Sequence, residues 1–274
     1  MALEVEHASQ TSRYVVEDLI GDPTDGTVEI GLVHRHERFE LTLRIVVDPV
    51  RDVLLLSVHL TGDETLRPYV LLAPHMGGTG RDNMATACLP RGVNALCAER
   101  GRFGLALVAI DATGGDAMTR TSAGYVGTSD GWQDFDRNGA MTWEYPRAGR
   151  GNVALMGELP QSATLALAFA PGRVAAATSA VSALLESFEI NWTRIIESWG
   201  DWHARADAHR TRRAPSAESA RASGWTPALE RELKTSAMVL RAHQDKLYPG
   251  TMVASLSIPW GNTRDEIGGY HLVW

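Results

Sequence analysis

Phe39, Leu41, Leu43 and Ile45 alternate with Glu40, Thr42 and Arg44. A period of two puts the apolar set on one face and the polar set on the other, which predicts a half-buried strand. Asp48-Pro49-Val50-Arg51-Asp52 follows. It has turn chemistry, since proline fixes φ and aspartate bonds nearby backbone. The apolar run 53–60 then predicts a second, antiparallel strand beside the first. Similar runs at 27–34, 69–73, 104–110, 153–157 and 164–169 are separated by Gly, Asn, Asp and Pro. Many strands without intervening helices predict a large antiparallel β-sandwich over residues 1–172.

Beyond Pro171 the period changes. Val181, Leu184, Leu185, Phe188, Trp192, Ile195, Ile196, Trp199 and Trp202 fall at three- and four-residue spacings, which predicts one long amphipathic helix. Residues 206–224, ADAHRTRRAPSAESARASG, have no apolar stripe and read as a linker. The helix and linker form a connector over 173–225. Thr226-Pro227 then has the residues of an N-cap followed by proline at the first helical position, and Leu229, Leu233, Ala237 and Leu240 share a face. A second helix is predicted from about residue 227 to about 244, with a turn at Lys246-Leu247-Tyr248-Pro249-Gly250. It opens a third region, 226–274.

Hydrophobic residues make up 44% of the 274 and charged residues 22%, which fits a globular chain. The net charge of −7 argues against nucleic acid as a partner, because phosphate backbones select basic surfaces. Apolar runs such as Val53-Leu54-Leu55-Leu56 fall far short of the ~20 residues that span a bilayer, so no membrane partner is expected. The opening MALEVEHASQ has neither a basic segment nor an apolar core, so the expected compartment is the cytoplasm. Cys88 and Cys97 match no redox or zinc spacing and are expected to be reduced and structural.

Candidate chemistry is sparse. His34 and His36 would share one side of a strand, but Arg35 and Arg38 flank them and no third ligand is spaced to join them, so no metal is expected. Gly77-Gly78-Thr79-Gly80 lacks the Lys and Ser/Thr of a phosphate loop and reads as a plain turn. No GxSxG or HExxH occurs, and no cofactor motif. Two segments alternate glycine, aromatic and short polar residues: 124–134, GYVGTSDGWQD, and 257–274, SIPWGNTRDEIGGYHLVW. Aromatic faces pack on the C–H face of a sugar ring while polar neighbours bond its hydroxyls. The competing reading is a buried turn around a core tryptophan. The first segment reads as a buried turn ahead of a sugar site, the second the reverse.

Several stretches together carry a family resemblance. Ser236-Ala237-Met238-Val239-Leu240, HQDKLYPG at 243–250, ASLSIPWG at 254–261 and GGYHLVW at 268–274 resemble the start of the catalytic domain of prokaryotic glucoamylases and glucodextranases, glycoside hydrolase family fifteen. YVLLAPH at 69–75, GYVGTSDGWQD at 124–134 and GNVALMGEL at 151–159 resemble that family's N-terminal sandwich. The resemblance implies a mainly β plus α protein: an antiparallel supersandwich, a helical connector, and the first part of an α/α barrel. It implies inverting hydrolysis of α-glucosidic bonds at non-reducing ends, with an α-glucan or oligosaccharide as substrate.

Inversion requires two carboxyl groups about 6.5–9.5 Å apart, one as acid and one as base. In the family both are glutamates from barrel loops beyond the YHLVW motif, and the motif continues with Pro-Arg-Asp. Neither feature lies within these 274 residues, and Asp265 and Glu266 do not occupy the acid or base positions. The resemblance therefore implies no catalytic residue here, only two substrate contacts: Tyr270 beside the terminal sugar and Trp274 lining that subsite. The expectation is a glucoamylase-like hydrolase portion that is inactive by itself. Alternatives are a non-catalytic carbohydrate-binding or interaction domain, or one half of a split enzyme whose partner is the remaining barrel. Self-association through exposed apolar helix surface is a further expected contact.

Overall fold

A computed structural model of the chain describes residues 2–7, 10–15, 18–20, 30–88, 92–213, 226–246, 248 and 250–253. In chain order the strands are β1 (Ala2–His7), β2 (Gln10–Val15), β3 (Asp18–Ile20), β4 (Ile30–His36), β5 (Phe39–Val47), β6 (Val53–Gly62), β7 (Tyr69–Leu72), β8 (Asn83–Cys88), β9 (Ala95–Arg100), β10 (Phe103–Ile110) and β11 (Arg120–Tyr125). Helix α1 (Gly131–Asn138) precedes β12 (Arg147–Gly151), β13 (Val153–Glu158) and β14 (Ser162–Pro171). Helices α2 (Arg173–Ala183), α3 (Phe188–Arg213) and α4 (Pro227–Ala242) follow. The described residues form two compact units, one ending at Trp192 and the other beginning at Thr193.

The first unit is the sandwich. Nine strands pair antiparallel in the order β12-β8-β9-β10-β14-β6-β5-β4-β3, and β11-β13-β7 form a second, three-stranded antiparallel sheet. The core between them is supplied by Leu96, Leu105, Leu107 and Leu165 from the large sheet and by Ala123, Val153 and Leu155 from the small one. The other face of the large sheet carries α2, whose Ala176, Ala177, Ala180 and Ala183 are buried. Alanine lets the helix axis lie close to the strands. Because β9 and β10 are covered on both sides, they are buried almost continuously instead of alternately.

The predicted β5–β6 pair is present, with Leu43 opposite Val58, and Asp48 makes the turn by accepting from the N–H groups of Val50 and Arg51 at 2.8 and 2.7 Å. Three expectations need correction. The single helix after Pro171 is two, because the chain breaks after Leu184 and Ser187 starts a new one, its hydroxyl accepting from the Ile190 N–H at 3.3 Å. The linker from residue 206 is helical through Arg213, where α3 ends; 214–224 lie outside the described residues. Cys97 is buried and disulfide-bonded, not reduced. Its strand packs on both sides, so the spacing that fails to spell a redox motif still places Cys97 inside the sheet.

In the second unit, α4 begins where the sequence predicts: Thr226 caps it, its hydroxyl accepting from the Leu229 N–H at 3.3 Å, with Pro227 at the first turn. Arg241 of α4 lies 4.2 Å from the Trp199 ring centroid and 5.2 Å from that of Trp202, and donates to the Ser198 carbonyl at 3.2 Å. No described helix is long and apolar enough to cross a membrane.

Candidate functional site

Tyr270 and Trp274, together with Asp265, Glu266 and the whole of 254–274, lie outside the described residues. The motif that leads into them is described: Gln244 bridges Met252, Asp245 N–H donates to the Thr251 carbonyl at 3.0 Å, and Val253 N–H donates to the His243 carbonyl at 2.9 Å. The described residues of this stretch thus bring the chain back on itself after α4. A concavity of about 440 Å³ runs along α4, where Arg231, Glu232, Thr235 and Met238 line it. Among the described residues lining it Glu232 is the one carboxylate, so these supply no acid–base pair.

The histidines of HRH do not converge. His34 is 3% exposed and its Nε2 has no hydrogen-bond partner, while His36 accepts the Arg38 N–H at 3.2 Å and lies 5.1 Å from the Phe39 ring. Burial lowers the His34 pKa. No group of three metal-ligating side chains occurs among the described residues. The glycine-rich loop is held from inside: buried Asn83 accepts from the Met76 N–H at 3.1 Å and donates to the Thr79 carbonyl at 2.8 Å, and Gly78 N–H donates to the His75 carbonyl at 2.9 Å. The Gly78 amide is thus spent within the protein.

The segment 124–134 is a turn followed by a helix start. Asp130 caps α1 by accepting from the Gln133 N–H at 3.0 Å, and it also accepts from Gly127 N–H. A side chain at Gly124 would collide with the Ser129 carbonyl, and one at Gly131 with Met156, so both positions need glycine for close approach. Asp134 is fully buried. Its carboxylate accepts from Asn138 Nδ2 at 2.8 Å and from Thr142 N–H, Thr142 Oγ1 and Trp143 N–H, each at 2.6 Å. Burial by itself would raise its pKa; the bonds from Thr142, Trp143 and Asn138 outweigh that and hold it below the usual carboxylate value.

Sequence reasoning passed over what this bracing positions. Trp143 and Tyr145 follow α1, their ring centroids 5.8 Å apart and their planes at 48°, with the Arg137 guanidinium 5.4 Å from the Trp143 centroid. The available signal was the W-x-Y alternation in an otherwise polar stretch, TWEYPR.

Known proteins give the framework a family. A glucoamylase of Clostridium sp. (strain G0005) is 26% identical over 263 residues, covering 92% of this chain. The chain spans 34% of that relative's length. A crystal structure of a bacterial glucoamylase complexed with acarbose superimposes with a TM-score of 0.76 at 25% identity, over 97% of this chain and 38% of that one. The architecture is therefore the β-sandwich of a glucoamylase followed by the start of its helical domain. Residues 3–204 match the family described as glucodextranase, domain N. This extent covers the sandwich and α2 and reaches into α3, and the chain belongs to the glucodextranase domain N family.

Proposed function

We propose that the chain is the sandwich (1–172), connector (173–225) and opening barrel portion (226–274) of a glucoamylase-like glycoside hydrolase acting on α-glucans from their non-reducing ends. The observation that carries this is the likeness, along 97% of the chain, to a bacterial glucoamylase complexed with acarbose. Tyr270 and Trp274 would contact the terminal glucose. A tyrosine there places its phenol oxygen near the positive charge that develops at the ring oxygen, and a tryptophan supplies a stacking face.

We read residues 1–274 as contacting the substrate without turning it over. A general acid has to stay protonated near neutral pH, which requires a raised pKa. Among the described residues, the carboxyl groups with a resolved shift are Asp63, Asp111 and Asp134, and each is lowered. Hydrogen-bond donors hold all three in the ionised form.

Purified 274-residue chain is expected to release no glucose from maltose or dextran. It is expected to give saturation-transfer NMR signals with maltose that Tyr270→Ala or Trp274→Ala diminishes. Glucose release by the chain alone would overturn the assignment of inactivity; maltose signals indifferent to both substitutions would overturn the subsite. Release that arises only on mixing with a separately produced chain carrying the later barrel helices would mark two halves of one enzyme.

A further inference from the structure

Trp143 and Tyr145 are large aromatic side chains on an open stretch of the sandwich. Tyr145 is 43% exposed, and Trp143 is half-buried. Their backbone is held firmly for so open a segment. Trp143 N–H is bonded to the buried Asp134 carboxylate, Tyr145 N–H donates to Ser122 Oγ at 3.1 Å, and the Tyr145 carbonyl accepts the Ala123 N–H at 2.8 Å. Two strands of bonding, one to α1 and one to β11, fix the rings before any ligand arrives. Preorganisation of this kind removes much of the ordering cost of binding.

The polar tips of the same residues are unspent. The Trp143 indole N–H, the Tyr145 phenol and the Arg137 guanidinium make no hydrogen bond to protein among the described residues. Around them Thr142 and Glu144 are exposed. Apolar ring faces bordered by free donors and acceptors suit a ligand whose own surface alternates C–H faces with hydroxyl edges, which is a sugar. The tilt selects among sugars. A β-1,4-linked chain is a flat ribbon and stacks best on coplanar rings, whereas an α-1,4-linked chain curves, so successive glucosyl faces turn relative to one another. Rings at 48° match the curved chain.

We infer that Trp143, Tyr145 and Arg137 form an accessory binding platform for α-1,4-glucan on the sandwich, made of residues other than the Tyr270 and Trp274 subsite. This rests on the α-glucan reading proposed above. The platform holds polymer; it carries no acid, base or nucleophile.

Affinity electrophoresis of the full 274-residue chain through gels containing amylopectin tests it, with hydroxyethylcellulose as the flat β-linked control. The chain is expected to be retarded by amylopectin and not by the control. Trp143→Ala and Tyr145→Ala are each expected to weaken retention about tenfold, as loss of an anchoring aromatic does in other interfaces, and the pair to abolish it. Tyr145→Phe, which keeps the ring and loses the phenol, should fall between wild type and Tyr145→Ala. Near-ultraviolet circular dichroism and melting of each variant separate lost binding from lost folding.

Equal retention of wild type and both alanine variants, no retention of wild type, or equal retention by the control overturns the platform. So does a change of oligomeric state in these variants without a change in retention, since the rings would then be a protein contact. Tyr270→Ala is expected to leave amylopectin retention in place. The maltose signals that report on Tyr270 and Trp274 are read separately, so the platform can fail while the subsite stands, and the reverse.

Discussion

Asp134 has no solvent exposure and four donors, and it joins two pieces of chain: α1 through Asn138, and the segment carrying Thr142 and Trp143. Deleting its carboxyl group leaves part-buried N–H groups without their acceptor, which costs more than the bonds themselves contribute. Asp134→Ala is therefore expected to lower the unfolding free energy by about 3 kcal/mol, measured by urea titration. It should also free Trp143 and so reduce amylopectin retention without touching a sugar-contacting atom. A loss below about 0.5 kcal/mol, the scale of a neutral surface change, would show that the network is not structural. This arrangement was only half legible in the sequence. GYVGTSDGWQD suggested a buried turn around a core tryptophan; the turn is there, braced by the Asp130 cap and the close approaches at Gly124 and Gly131, but Tyr125 and Val126 in it are exposed and Trp132 is half-buried. The bonds from Asp134 to residues eight and nine positions on follow no period, so no spacing rule could reveal them or the ring pair that they fix.

Among the elements, β5 was legible because one face is apolar and the other polar, and β6 as an apolar run after a turn, while β8 and β9 were not. Their strands are small-residue runs, NMATAC and ALCAER, and burial of β9 between α2 and the small sheet erases its alternation. The break between α2 and α3 was hidden for a different reason: Leu184, Leu185 and Phe188 keep a helical spacing straight across it, and only the Ser187 cap marks the new start. The opening turn of α3 is fastened to β5 by Arg44, whose guanidinium forks onto Glu189 and lies 4.0 Å from the Trp192 centroid and 5.2 Å from that of Phe188. Two interactions compete for credit. Glu189 is 66% exposed, and exposed ion pairs contribute little, so Glu189→Gln should cost at most about 0.5 kcal/mol. Stacking of a planar guanidinium on indole does not transfer to an ammonium group, so Arg44→Lys should cost about 1 kcal/mol despite conserving the charge. A double-mutant cycle of Arg44→Lys with Trp192→Leu should return a coupling of about 0.5–1 kcal/mol; additivity of the two would assign the contact no energy.

At the scale of the whole molecule these local shifts add to one acid profile. The folded pKa of buried His34 lies below the ordinary histidine value of 6.5 because burial disfavours its charged form, and its strand partner Leu41 offers no acceptor for a proton. In acid below 6.5 the unfolded chain takes up this proton more readily than the folded one, so stability from His34 is complete above that value and is lost as pH falls. Asp63 is lowered by bonds from Thr65 and Arg38, Asp111 by bonds from Thr113 and Gly115, and Asp134 by the donors already named. Their folded values lie under the ordinary 3.8, so their contribution is complete above 3.8 and disappears as pH drops through the lower folded values. All four groups thus act in the same direction. The melting temperature is expected to be level above 6.5, to decline gently below it, and to fall steeply below 3.8. His34→Leu should flatten the gentle limb and leave the steep one. A melting temperature that rises as the wild type is acidified through 6.5 would contradict the sign assigned to His34, and a steep limb missing below 3.8 would contradict the bonding assigned to the aspartates.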